Sequence, residues 1–186
     1  MRKLNIFLVA GMMVTFIIHA ITASGTLLGS NAVNNKVIAR ASAGFAAAHM
    51  VVGTVLTIRT LKSLKSAARD GRKVSYFKEN KLFWTRRISG FAIIIPLVMH
   101  LFIFTSPSGN TDAYRLNVFT TGRMISQILL VITLAVHIIT NVKPVLITFG
   151  IKRLKPYSTD IILVISVLLL IFAVAFLVYY IRWRSF

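Results

Sequence analysis

Five long apolar stretches limit what this chain of 186 residues can fold into. Stretches of about twenty apolar residues cross the hydrocarbon core of a bilayer as single α-helices. A hydrophobic content of 56% agrees with this, because soluble chains of similar length are more polar. The chain is predicted to be an all-α integral membrane bundle, one domain over residues 1–186, with five transmembrane helices. We expect these helices over 4–28, 36–61, 86–106, 117–149 and 159–181.

Turn-forming residues and prolines set the expected limits of the helices. Glycine, serine and asparagine residues in 29–35 separate the first two spans. Pro156 precedes the fifth span, and Ser158 is a candidate N-cap for it. Pro96 and Pro144 lie inside spans and are predicted to kink them.

The first apolar stretch has the features of a signal peptide. Basic residues at positions 2 and 3 precede an apolar run, and the sequence Ile-Thr-Ala-Ser at 21–24 resembles a cleavage site. The run nevertheless carries His19 and extends to Leu28. We therefore expect it to be retained as the first transmembrane helix.

The distribution of basic residues predicts the topology. A net charge of +18 is compatible with nucleic-acid binding, but the basic residues cluster between the apolar stretches, which favours a membrane protein without a nucleic-acid partner. Sixteen of the 22 Lys and Arg residues fall on one side, ten of them within 59–87. The other side has Lys36, Arg40, Arg115, Arg123, Arg182 and Arg184. The positive-inside rule places the N-terminus in the cytoplasm and the C-terminus outside, in a bacterial-type plasma (inner) membrane.

Four histidines are the most informative polar residues. His19, His49, His100 and His137 lie singly in the first four apolar stretches, and the chain has no other histidine. Ionisable groups inside a membrane are costly and often functional, and imidazole is a common axial ligand of haem iron. One such histidine is more often a contact between helices, but four on consecutive spans predict two bis-histidine haem sites. The chain has no cysteine, so any iron–sulfur centre would belong to a partner.

The depths of the histidines sort them into two pairs. Counting from basic residues on the cytoplasmic side, at about 1.5 Å per residue, places His137 roughly 9 Å deep and His49 roughly 15 Å deep. The same count places His100 roughly 20 Å deep and His19 roughly 24 Å deep. The predicted inner pair is His49 with His137, and the predicted outer pair is His19 with His100.

Neighbouring small and polar residues have two interpretations each. Thr15 and Thr133 lie four residues before His19 and His137, where their hydroxyls can accept a hydrogen bond from the Nδ1–H of a ligand histidine. The same hydroxyls can instead bond to their own helices. Glycines near the histidines, such as Gly90, admit either a flat macrocycle or closely packed helices, and we favour packing for the glycines.

Two segments resemble a known family. Residues 81–91 contain a Leu-Phe-Trp start and a Ser-Gly pair, and His100 follows ten residues after Gly90. Residues 137–151 begin with a histidine and end in Phe-Gly-Ile. Both resemble the cytochrome b membrane-anchor subunit of succinate:quinone oxidoreductases and quinol:fumarate reductases, of the five-helix, two-haem, single-polypeptide type.

This resemblance implies a function, cofactors and partners. The family carries one haem ligand on each of its first four helices, with the pairing given above. It implies two haems b and an electron-transfer role between membrane quinone (menaquinone or ubiquinone) and two cytoplasmic partner subunits, an iron–sulfur protein and a flavoprotein with FAD. The basic 59–87 region then fits a partner-docking surface, or serves only as the topology signal. Candidate partners for haem propionates are Arg40, Arg59, Arg86, Arg87 and Arg123.

Some features depart from the family or leave alternatives open. Ala135 stands where some fumarate reductases of this type carry a glutamate. The quinone site, the proton route and the direction of the reaction therefore stay open. One alternative is the cytochrome b subunit of a hydrogenase or formate dehydrogenase, although those families tend to place two ligands on one helix. A less favoured alternative is a small-molecule binding subunit of a vitamin transporter, which does not require four histidines.

Overall fold

The computed structural model describes residues 2–29, 36–70, 81–105, 119–151 and 154–184. Every regular element in these ranges is an α-helix, and five helical stretches are long and apolar enough to cross a membrane. The predicted all-α class and the five candidate spans are therefore confirmed. The helices are α1 (Arg2–Leu27), α2 (Lys36–Arg69), α3 (Lys81–Ala92), α4 (Ile94–Thr105), α5 (Thr121–Thr148) and α6 (Leu154–Arg184).

Large apolar side chains lie on the outside of these helices. Ile95, Phe102 and Leu163 are 72%, 68% and 64% exposed. In water each such side chain forgoes about 1.5–3 kcal/mol of burial free energy. In a bilayer the exposure carries no such cost, because lipid tails are as apolar as the side chains. The exposed surface therefore supports the membrane character of the chain.

The chain divides into two compact units. The first comprises Met1–Thr22 and Val33–Arg87, and the second comprises Ala23–Ala32 and Ile88–Phe186. The first contains most of α1, all of α2 and the beginning of α3. The second contains the last turn of α1, the end of α3, and all of α4, α5 and α6.

In the first unit, α1 and α2 meet where a glycine faces an aromatic ring. A Cβ atom at Gly11 would lie 2.6 Å from Cε1 of Phe45. Phe7, one turn earlier in α1, stacks edge-to-face on the same ring with centroids 6.3 Å apart. A side chain at position 11 would require the Phe45 ring to move, so Gly11 lets the two helices approach closely here.

The second unit has its core where four helix ends meet. Phe119, Met124 and Tyr179 are buried there, and Phe119 stacks edge-to-face on Tyr179 with centroids 5.4 Å apart. Side chains from the C-terminal turns of α1, α4 and α6 and from the N-terminal turns of α5 surround this core: Leu27, Ile103, Phe104, Ile128, Phe176 and Tyr180. Within this unit α5 therefore has the opposite direction to α4 and α6, as expected for successive transmembrane helices.

The third span is interrupted one turn before its proline. α3 ends at Ala92 and α4 begins at Ile94, although Ile93 N–H still donates to Ser89 O at 3.2 Å and Leu97 N–H to Ile93 O at 2.9 Å. A proline ring crowds the carbonyl four residues before it, here that of Ala92. The interruption agrees with the kink predicted at Pro96. In contrast, α5 continues through Pro144 as one helix.

The predicted starts of the fourth and fifth spans need correction. α5 begins at Thr121, later than the predicted 117, because Thr120 is its N-cap and accepts from Arg123 N–H at 3.3 Å. α6 begins at Leu154, so Ser158 is inside the helix and is not its N-cap. Pro156 falls in the first turn of α6, where a missing N–H breaks no helical hydrogen bond.

The C-terminal end of α2 lies beyond its predicted position, and that of α5 accounts for a sequence motif. α2 continues to Arg69, eight residues beyond its predicted end, so part of the basic 59–87 region is helical. α5 ends in a Schellman motif: Gly150 has a φ of +79°, Gly150 N–H donates to Ile147 O, and Ile151 N–H donates to Leu146 O. The Phe-Gly-Ile ending of the fourth span is thus a helix stop. The predicted turn residues at 30–35 and the basic residues within 71–80 lie outside the described ranges.

Candidate functional site

The four histidines lie on four different candidate spans, as predicted. His19 is in α1, His49 in α2, His100 in α4 and His137 in α5, and each side chain is partly buried. His19 and His49 belong to the first unit, and His100 and His137 belong to the second. Both predicted pairs join one histidine from each unit, so the pairing stays a prediction.

His100 is held by a hydrogen-bonded network between α4 and α5. Its Nδ1 lies 2.7 Å from Oε1 of Gln127, whose side chain is fully buried. The Nε2 group of Gln127 donates to Oγ of Ser126 at 3.0 Å, and Ser126 donates to Arg123 O at 2.7 Å. We call this set the His100 network.

The His100 network defines which imidazole nitrogen carries the proton. The carbonyl oxygen faces His100, because the NH₂ group of Gln127 is already engaged with Ser126. A carbonyl oxygen can only accept, so Nδ1 of His100 must donate. In the neutral ring the lone pair is then on Nε2, which is the atom that haem iron binds when Nδ1 donates to an oxygen.

Two aromatic rings also contact His100. Phe104, one turn later in α4, lies with its ring centroid 4.8 Å from the imidazole centroid at an angle of 45°. Phe176 of α6 approaches at 6.4 Å in an edge-to-face arrangement. Together with Gln127 these rings limit rotation of the imidazole.

His137 has a different environment, formed by α3. Its Nδ1 lies 3.1 Å from Oγ of Ser89, a residue only 6% exposed. A Cβ atom at Gly90 would lie 3.1 Å from Cε1 of the same imidazole. Gly90 therefore allows α3 to approach the ring closely. The Ser89 hydroxyl can donate or accept, so this contact orients the ring without fixing its tautomer.

The two histidines of the second unit lie at different levels. His100 bonds to Gln127, so its imidazole lies at the height of Gln127 along α5. His137 lies further along α5, at the height where Ser89 of α3 contacts it. Gln127 precedes His137 by ten residues in α5, a separation of about 15 Å along the helix. The two imidazoles cannot share one iron atom, which agrees with the different depths expected from the sequence.

The hydrogen bonds of Thr15 and Thr133 bear on the two interpretations given for these residues. Thr15 donates to Gly11 O and Thr133 donates to Leu129 O, both at 2.8 Å, so each bonds to its own helix. Ser89 is a side-chain partner of the His137 Nδ1, and the bond of Thr133 to its own helix matches the second of the two interpretations given for it. A hydroxyl on the facing helix reaches the ring edge, whereas Thr133 directs its proton toward its own backbone.

Gln127 is the functional candidate that the sequence reasoning missed. It lies in a strongly apolar helix, where a side-chain amide needs a hydrogen-bonding partner. That signal was available without a structure. Ser89 was part of the recognised Ser-Gly pair, but its contact with a histidine 48 residues later was not predicted.

The five arginines proposed for haem propionates occupy varied environments. Arg40 and Arg59 are exposed on α2, and Arg123 is exposed in the first turn of α5. Arg86 is half-buried, and the guanidinium carbon of Arg87 lies 5.2 Å from the ring centroid of Phe83. Within the second unit, Arg123 is one turn from Gln127, the hydrogen-bonding partner of His100.

The ligand chemistry of these residues fits a haem better than an ion bound by protein alone. Within the described ranges, no three His, Asp or Glu side chains gather to hold a metal ion. A bis-histidine haem needs only one histidine from each of two helices, since the porphyrin supplies the remaining ligands. The oxygen partner of each Nδ1 in the second unit is the arrangement that ligating histidines usually show.

No family model, no curated protein and no solved structure matches the chain. The functional interpretation therefore rests on the histidines, their hydrogen bonds and the sequence motifs around them.

Proposed function

We propose that this chain is the dihaem cytochrome b subunit of a succinate:quinone oxidoreductase or quinol:fumarate reductase. The observation that carries the proposal is the presence of one histidine on each of the first four candidate spans. The hydrogen bonds of His100 and His137 to side-chain oxygens support it further. A merely structural role for the histidines does not account for this repeated pattern.

In this proposal the four histidines would hold the iron atoms of two haems b. His49 and His137 hold an inner haem b, and His19 and His100 hold an outer haem b. Bound haem supplies a one-electron couple between ferric and ferrous iron. The separation of His100 from His137 along α5 supports assigning them to different haems.

The remaining residues exclude water and hold the ligands in place. The aromatic rings beside His100 and the backbone of Gly90 beside His137 leave little freedom for the imidazoles. Apolar side chains elsewhere on the spans face lipid and keep solvent away from the electron path. The redox chemistry belongs to the cofactor, and the protein contributes ligation, spacing and a dry environment.

The charge distribution supports the proposed orientation and partners. With the N-terminus in the cytoplasm, most of the basic residues lie on the cytoplasmic side. There the chain anchors an iron–sulfur subunit and a flavoprotein subunit, and electrons pass between these subunits and membrane quinone.

Purification of the tagged chain from its native membrane in mild detergent tests the proposal. We expect two haems b per chain, low-spin bis-histidine spectra, and co-purification of a flavin-containing and an iron–sulfur-containing subunit. Well-folded, monodisperse protein without haem absorbance would overturn the proposal. Haem with the subunits of a hydrogenase or formate dehydrogenase would instead assign it to a different oxidoreductase.

A further inference from the structure

We propose that Gln127 is a positioning residue that keeps His100 in the tautomer able to bind iron. This inference rests on the proposed function, since it concerns one of the proposed haem ligands. It goes further by assigning a role to a residue outside the proposed set of haem ligands. Gln127 acts through His100, and Ser126 acts through Gln127.

The amide of Gln127 is buried at a position where it must be hydrogen-bonded. Gln127 has no exposed surface and lies in an apolar helix. A buried amide that lacks hydrogen bonds costs about 2–7 kcal/mol, depending on the reference environment. Both ends of this amide are satisfied, one by His100 and the other by Ser126. The position is therefore built for a polar side chain with a defined orientation.

The orientation of the Gln127 amide decides which nitrogen of His100 carries the proton. An amide rotated by 180° would present its NH₂ group to Nδ1 of His100, and Nδ1 would then have to accept. The ring proton would move to Nε2, and a protonated Nε2 cannot bind iron. Ser126 opposes this rotation because its hydroxyl already donates to Arg123 O and offers its lone pair to the amide NH₂. The network therefore selects one of two possible tautomers.

The alternative role for Gln127 is adhesion between α4 and α5. In that role the amide contributes to stability whichever way it faces, and the tautomer of His100 is irrelevant. The two roles differ in what they predict for Ser126. If Gln127 serves only adhesion, replacement of Ser126 should change His100 little. If Gln127 positions His100, the same replacement should change which imidazole nitrogen of His100 carries the proton.

The experiment compares Gln127→Met, Gln127→Glu and Ser126→Ala in the full chain, with Thr133→Val as the control. Methionine has a similar volume but no strong acceptor, and glutamate keeps an oxygen facing His100. Thr133 lies on the same helix and bonds only to backbone carbonyls in the contacts described above. Circular dichroism at wild-type helix content verifies that each variant folds.

The first measurement is nitrogen NMR of histidine-labelled, haem-free full chain in detergent. The His100 signals are identified by their loss in His100→Gln. We expect the Nδ1–H tautomer in the wild type, in Gln127→Glu and in Thr133→Val. Gln127→Met and Ser126→Ala should shift His100 toward the Nε2–H tautomer. An unchanged Nδ1–H tautomer in both of these variants would overturn the positioning role.

The second measurement is the rate at which haem transfers from the loaded chain to an acceptor apoprotein. Loss of a ligand-orienting partner typically costs 10- to 100-fold in metal affinity. In Gln127→Met we expect a change of that size in the transfer rate of the more labile haem. The change in this rate should be smaller in Ser126→Ala, and Gln127→Glu should restore the wild-type rate. Haem retention within threefold of wild type in Gln127→Met would contradict the inference. Wild-type protein that never binds haem would overturn the proposed function instead, while the NMR result would still decide whether Gln127 sets the tautomer.

Discussion

His100 and His137 lie in the same unit, yet their imidazole rings are held by different means. His100 donates to a fully buried amide whose orientation is set by a further hydrogen bond. His137 meets a serine hydroxyl that can donate or accept, and its ring lies against the backbone at Gly90. The orientation of the His100 ring depends on a directional polar network, whereas the orientation of the His137 ring depends mainly on the room that Gly90 leaves for it. Substitutions that change polarity should therefore affect His100, and substitutions that change volume should affect His137.

The largest expected effect comes from removing either ligand. His100→Ala and His137→Ala should each reduce the haem content from two per chain to one, because the two residues lie at different levels along α5. The pyridine haemochrome assay, normalised to protein, measures this loss. Asn141→Ala is a suitable control, since the Asn141 side chain donates to its own helix at His137 O. Loss of both haems from one substitution would show that the two sites are not separable.

Gly90→Val should act on His137 alone. The added Cβ would start 3.1 Å from the imidazole, and the two methyl groups need further room. Overpacking of this kind costs about 1–3 kcal/mol. We expect displacement of the ring and loss of the haem bound by His137, with the haem bound by His100 retained.

Gly122→Val provides the matched control for this volume effect. Within the described residues, nothing lies within 4 Å of a Cβ built at Gly122. Redox titration with optical detection would distinguish which haem is lost. Equal losses in the two variants would mean that the valine acts through helix propensity and not through the ring.

Replacement of Ser89 should have a smaller effect than replacement of Gln127. Ser89→Ala removes one hydrogen bond, worth about 0.5–1.5 kcal/mol, without leaving a buried amide unsatisfied. We expect haem transfer from the chain to accelerate only a few-fold. Thr85→Ala, which removes a hydroxyl that donates to its own helix at Lys81 O, should leave the wild-type rate unchanged. An effect of Ser89→Ala larger than that of Gln127→Met would reverse the proposed contrast between the two rings.

The smallest effect is expected at Phe176. Phe176→Leu removes the edge-to-face contact with His100 but leaves the Gln127 hydrogen bond in place. Such aromatic contacts contribute about 0.5–1.5 kcal/mol beyond their buried area. We expect a modest loss of unfolding free energy in detergent and no loss of haem. Complete loss of a haem would show that packing, and not the network, holds His100.

The sequence predicted the spans well because lipid imposes a simple length and polarity on each helix. It also placed the histidines on separate spans and predicted that His100 and His137 lie at different levels. It misplaced the start of α5, because the capping role of Thr120 depends on its backbone conformation. The partners of the rings, Ser89 and Gln127, depend on which helix faces which, and a single sequence carries little information about that.

Because α2 extends to Arg69, the positive potential of its basic residues reaches further along the helix axis than it would from a helix that ended at the predicted residue 61. A helix of 34 residues is about 51 Å long, whereas a hydrocarbon core is about 30 Å thick. Arg59, Lys62, Lys65 and Arg69 are exposed along its final turns. Arg69 lies about 15 Å further along the axis than Arg59, nearly two Debye lengths at physiological salt. An approaching anionic surface thus meets positive potential well before it reaches the ends of the spans.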